Sequence, residues 1–194
     1  MTTINDTKST ILDVALDMIQ RQSISGVSFQ ALAKQVGIKK GSMYYHFESK
    51  DELAMAVLER AASDLTASFK RGSHKTAQQR LQYFFNIYRG NIGAGEKLCP
   101  GGAFVGEWDT LSAQVQSCVS KLINTQTQGI EQIISDGLAA GEFTSHGQSP
   151  ASLATWLISS IQGALLTARV AGHVDAFDIS VSIINQYLSN TPQD

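Results

Sequence analysis

Phe29-Gln-Ala-Leu-Ala-Lys-Gln-Val-Gly-Ile-Lys-Lys-Gly-Ser-Met-Tyr-Tyr-His-Phe-Glu-Ser-Lys-Asp-Glu-Leu53 is the stretch on which the reading of this chain turns. Ser28 precedes it, with a hydroxyl able to accept from the unpaired amides of a first helical turn. Phe29, Leu32, Ala33 and Val36 follow at i, i+3, i+4 and i+7, the spacing of one helix face. Gly37 takes a positive φ at no steric cost and ends that helix. A shorter helix over 39–46 comes next, and Met43 and Phe47 stand one turn apart so that both face inward. Ser49 and Glu52 then make the Ser-x-x-Glu pattern of a capping box opening a further helix.

Working outward, helical spacing dominates and no stretch alternates convincingly as a strand. A first helix over 7–22 carries Ile11, Val14, Ala15 and Met18 and is broken by Ser25-Gly26. The helix opened by Ser49 carries Ala54, Val57, Leu58, Ala61 and Leu65 and fades near 71–73. An aromatic helix spans 76–91, a glycine-rich connector covers 90–95, and 96–112 holds Cys99-Pro-Gly-Gly followed by Phe104 and Trp108. A long helix over 113–140 ends at Gly141; two apolar helices over 151–171 and 175–189 follow, Pro150 standing at the start of the first. The expected fold is all-α, with about nine helices in two domains. A helix-turn-helix domain occupies 1–50 and an effector-sensing and dimerisation domain occupies 51–194.

Composition bounds the function. Hydrophobic residues are 43% and charged residues 16%, which supports a packed core. The net charge of −2 argues against a protein that coats nucleic acid over its whole surface. Residues 1–50 nevertheless carry six Lys and Arg against four Asp and Glu, leaving the acidic excess in the remainder. The N-terminus lacks the basic-then-apolar pattern of a signal peptide, and 153–171 is interrupted by Ser159, Ser160, Gln162 and Arg169. A cytoplasmic protein without a membrane span is expected, with both cysteines reduced.

Three short helices with a glycine turn are the skeleton of a helix-turn-helix, whose second helix enters the major groove. Here that helix presents Lys39, Lys40, Gly41, Ser42, Tyr44, Tyr45 and His46. By period alone the two tyrosines fit either a DNA-facing surface or the core of a small bundle. The run from Phe29 to Leu53 closely resembles the N-terminal domain of TetR-type repressors. It has an alanine before a hydrophobic-glycine turn, then Lys-Gly, Tyr-x-His-Phe and Lys-x-x-Leu. The resemblance implies a DNA-binding repressor. It places Lys40, Gly41 and Ser42 toward bases or phosphates, Tyr44, Tyr45 and His46 toward phosphate and sugar, and Lys50 on a phosphate. Ser28, at the start of the preceding helix, suits a further phosphate.

Such units act as two-fold dimers on palindromic operators. Trp156, Leu157, Ile161, Ala164 and Leu165, with Phe177, Val181, Ile184 and Leu188, give two apolar faces on the last helices. The resemblance implies that these form a homodimer interface. The middle helices would enclose an effector, with Tyr83, Tyr88, Phe104 and Trp108 as lining residues.

Cys99-Pro-Gly-Gly-Ala-Phe-Val-Gly-Glu107 resembles a sub-group that carries a cysteine, and a glutamate about eight residues later. In some of those regulators the cysteine reacts with electrophiles or oxidants. Leu98 departs from the glycine that precedes the cysteine there. Cys99 is thus a candidate sensor, with a small buried hydrophobe as the alternative; Cys118 is read as structural. The expected partners are a double-stranded operator, a second copy, and a small-molecule or electrophilic effector.

No cofactor is implied. The residues His46, His74, His146 and His173 have no catalytic context and, with two cysteines, no metal-ligand spacing. A cysteine-dependent enzyme is therefore the weaker alternative to a DNA-binding protein. A helical protein-interaction adaptor is the other.

Overall fold

The computed structural model describes residues 4–189. These form nine α-helices: α1 Ile4–Gln22, α2 Phe29–Val36, α3 Lys40–His46, α4 Lys50–Arg71, α5 Ala77–Asn91, α6 Gly102–Val105, α7 Ala113–Ala139, α8 Pro150–Ala171 and α9 Asp175–Leu188. A single 3-10 turn, Trp108–Thr110, sits between α6 and α7. The chain resolves into two compact units. One contains the described residues up to Ser63 together with Pro100–Leu122; the other contains Asp64–Cys99 and the described residues from Ile123 onward. The boundary expected after residue 50 therefore falls in the first turn of α4, and α4 runs on unbroken past it. The segment from 100 to 122 belongs with the N-terminal helices, an association that periodicity along the chain cannot show.

In the first unit, α1 packs on α2 and α6, and α2 packs on α3. Of the expected α1 stripe Ile11, Ala15 and Met18 are buried and Val14 is half-buried; Ile19 of α1, Leu32 of α2, Met43 of α3 and Phe104 of α6 join them in the core. Helices of eight and seven residues are too short to hold alone in water, so α2 and α3 persist through this packing.

In the second unit α5, α7, α8 and α9 enclose a core of Leu81, Phe84, Phe85, Ile130, Ile134, Leu157, Ile161 and Phe177, with their neighbours. Phe69 stacks on Phe84 at 6.2 Å and Phe84 meets Tyr88 at 4.9 Å. Arg80 of α5 reaches Asp136 of α7 at 2.5 Å, and Arg89 reaches Asp178 of α9 at 3.0 Å. Pro150 stands in the first turn of α8 as expected, and Ser149 caps that helix. The α7–α8 connection folds back through Phe143, and the amide of Thr144 donates to Leu188 O at 2.9 Å.

Gly137 of α7 sits where a Cβ would lie 2.2 Å from Cδ2 of the buried Phe143 ring and 2.9 Å from Ala77. Gly90, in the last turn of α5, faces open space. Gly137→Ala is expected to lower stability by about 1–3 kcal/mol through overpacking, despite alanine's better helix propensity. Gly90→Ala should leave it unchanged or raise it by up to ~1 kcal/mol. Urea unfolding of the two variants checks this, and equal midpoints would refute the packing role of Gly137.

Candidate nucleic-acid interface

The hairpin of α2 and α3 is closed by local chemistry at each end. Ser28 is extended (φ −118°, ψ 148°) and its hydroxyl accepts from the Ala31 amide at 3.1 Å. Gly37 takes φ +80°, and its amide and that of Ile38 both donate to Ala33 O. Lys39 caps α3 from an extended conformation, so the helix starts at Lys40, one residue later than expected. Ahead of α4, the Glu52 amide donates to Ser49 Oγ at 3.1 Å. The return bond of the box differs from expectation: Glu52 Oε2 accepts from the amide of Glu48 instead of Ser49.

Met43 and Phe47 are buried and fix the rotation of α3. The residues between them consequently point outward: Tyr44 is 53% and Tyr45 72% exposed. Lys39, Lys40, Gly41 and Ser42 are exposed as well, while His46 is half-buried with its ring edge-to-face on Tyr45 at 5.3 Å. Tyr44 meets Phe29 of α2 edge-to-face at 5.2 Å, so its ring is braced and its hydroxyl end is presented. A Cβ on Gly41 would meet nothing within 4 Å, which leaves the backbone there open to close approach.

Beside this face runs an open groove of about 530 Å³ lined by Ser28, Phe29, Gln30, Lys40, Tyr44, Glu48, Ser49 and Lys50, with Val27 at its base. Of the expected DNA-facing residues, Ser28, Lys40, Tyr44 and Lys50 thus share one depression. Gln30 and Ser49 also line it and were missed by sequence reasoning. Their signal was present, since each sits at a helix start beside an expected contact. Two ammonium groups and several hydroxyls in one concavity suit an anionic backbone, to which each can donate.

The expected sensor residues separate. Phe104 is fully buried and Trp108 36% exposed, both in the first unit. Tyr83, Tyr88 and Cys99 belong to the second. The four aromatics therefore do not line one cavity within either unit. Tyr83 borders a cleft with Ser68, Phe69, Arg80 and Phe84, whose free volume of about 10 Å³ holds no more than a single water. Cys99 is buried and its thiol donates to Gln162 Oε1 at 3.1 Å. The burial of Tyr88 pushes its hydroxyl well above the ordinary tyrosine range, and the neighbouring Cys99 adds to the shift. Cys99 lies three residues ahead of α6, which begins at Gly102 and is four residues long.

The last two helices hold most of the residues expected at the interface inside their own unit. Leu157, Ile161, Ala164 and Leu165 of α8 and Phe177, Ile184 and Leu188 of α9 are buried inside their own unit. Val181 is partly buried against the same core. Of the nine residues assigned to the dimer face, Trp156 alone is substantially exposed, at 37%. These helices are apolar on more than one face, and one of those faces closes the core. The outward face carries Leu166, Val170, Ile179 and Ile183, each more than half exposed, with Val170 at 91%. Trp156 and Tyr187 meet at 5.1 Å on the surface of the same helix pair.

Comparison with known proteins agrees with this architecture. The pattern of the bacterial regulatory proteins of the tetR family matches residues 11–57, and that of the tetracyclin repressor-like C-terminal domain matches residues 77–184. The HTH-type transcriptional repressor DhaR of Mycobacterium sp. (strain GP1) is 25% identical over 182 residues, covering 92% of this chain and 90% of that protein. A TetR-family transcriptional regulator from Agrobacterium tumefaciens shares the fold with a TM-score of 0.88 at 19% identity, covering 95% of this chain and 98% of the other. A TetR transcriptional regulator from Legionella pneumophila superposes with a TM-score of 0.84 at 25% identity, covering 97% and 99%. With the C-terminal pattern alone spanning more than half of its length, the chain belongs to the tetR family of bacterial regulatory proteins.

Proposed function

We propose that this chain is a cytoplasmic transcriptional repressor that binds a palindromic operator as a homodimer and leaves it when its second unit takes up a small molecule. The observation that carries the reading is the face of α3. Buried Met43 and Phe47 turn two tyrosines and Lys40 outward beside the cationic groove. Two phenol rings, braced at one edge by Phe29 and His46 and otherwise open to solvent on a seven-residue helix, suit a duplex. Membership of a family of DNA-binding regulators, and the repressor named among the relatives, support the same conclusion. Lys40, Gly41 and Ser42 are assigned to base edges or phosphates. Ser28, Lys39, Tyr44, Tyr45, His46 and Lys50 are assigned to phosphate and sugar. For the homodimer interface we replace the buried residues by the outward stripe Leu166, Val170, Ile179 and Ile183. Cys99 is read as structural, because its thiol is buried and already donates to Gln162.

Fluorescence anisotropy on labelled duplexes from the chain's own upstream DNA, at several salt concentrations, tests the DNA reading. Lys50→Ala should weaken every duplex alike and lower the slope of log Kobs against log salt by about 0.9. Lys40→Ala should cost about 1–3 kcal/mol and relax sequence preference. Unchanged affinity in both variants would remove the assignment of α3.

Ile183→Glu on the outward stripe should yield a folded monomer in sedimentation, with operator affinity lost. Leu157→Ala should instead lower stability by about 2–5 kcal/mol, as a core truncation. Cys99→Ser should keep ligand-induced release; release of the parent chain by a quinone or hypochlorite that the serine variant resists would overturn the structural reading of Cys99.

A further inference from the structure

Glu107 lies between α6 and the 3-10 turn, more than fifty residues beyond the helix-turn-helix, yet its carboxylate is spent entirely on that motif. Oε2 accepts from the backbone amide of Ser25 at 3.0 Å. Oε1 accepts from the hydroxyls of Ser23 and Ser25. Ser23 and Ser25 belong to the turn between α1 and α2, and Ser23 stands in the left-handed region at φ +60° without being glycine. A backbone state of that kind persists where surrounding contacts over-determine it; here Glu107 adds to the local bonds of Ser23 with Ile19 O and Gln22 O. The turn also accepts a cation: Lys50 Nζ donates to Ser25 O at 3.2 Å while its side chain lines the groove beside Ser28 and Lys40. An ammonium has three donors, and this contact uses one.

We infer that Glu107 is a positioning residue for DNA binding: it clamps the α1–α2 turn so that the Ser25 carbonyl holds Lys50, and the turn holds Ser28, at the places where phosphates are met. The inference rests on the DNA-binding reading above. Its chemistry is consistent within the site. Partial burial would raise the Glu107 carboxyl, but the bonds from Ser23 and Ser25 and the charge of Lys50 outweigh it and hold the group below the usual carboxylate range. Glu107 is therefore an anion at neutral pH, close to a surface meant for a polyanion. Its simple field effect on DNA is repulsive, so its presence needs the positioning role to offset that repulsion.

The opposing signs make a clean test. Glu107→Gln is nearly isosteric, removes the charge, and leaves one acceptor oxygen where the Ser25 amide and the two hydroxyls now share two. Binding of a labelled duplex of the chain's upstream DNA is measured from low to moderate salt for the parent, Glu107→Gln, Lys50→Ala and the double variant. Ser25→Ala serves as a milder second lesion, and thermal melting of each chain checks the fold. Glu107→Gln is expected to weaken binding roughly tenfold, the scale of one charge-assisted contact, and to lower the salt slope by about 0.9, as Lys50→Ala does. The double variant should lose little beyond either single one, and Ser25→Ala should fall between the parent and Glu107→Gln. Tighter binding, an unchanged slope, or fully additive losses would overturn the inference while leaving the DNA-binding reading intact. Failure of the parent chain to bind any duplex would overturn both.

Discussion

The burial of two side chains, Met43 and Phe47, is the constraint from which the interface follows. A seven-residue helix has almost no stability of its own, since nucleation is costly and few bonds repay it. α3 exists because those side chains are removed from water against α1 and α2. The anchor also fixes rotation. With position 43 inward, positions 44 and 45 have nowhere to go but solvent, and the lysines at the helix start follow them outward. The functional face is thus a consequence of the packing face, and a change to either alters the other.

The turn between α1 and α2 shows how a distant segment completes this motif. The helix-turn-helix is contiguous in sequence, but the contacts holding its first turn come from Glu107, 82 residues past Ser25. The segment around Glu107 packs with the N-terminal helices through α6. The compact unit is therefore discontinuous along the chain, and its boundaries fall inside α4 and α7.

The second unit poses a different problem. α8 and α9 are apolar around much of their circumference, and both a core and an outward stripe are made from them. The core takes the larger share, including Leu157, Ile161 and Phe177. What remains on the outward side is apolar as well, with Val170 as its most exposed residue.

The chain's own sequence determined what depends on near neighbours. The stops and starts at Ser28, Gly37, Ser49 and Pro150 and the inward stripe of α1 were legible there, as was the outward lysine-tyrosine face, because caps and helix faces are set by residues within four positions of one another. The tertiary structure alone decided which side of α8 and α9 meets the core, the burial of Cys99 against Gln162, the assignment of Phe104 and Trp108 to one compact unit and of Tyr83 and Tyr88 to the other, and the grip of Glu107 on the first turn. Each of these depends on residues scores of positions apart, and helical period carries no information about which helix lies beside which.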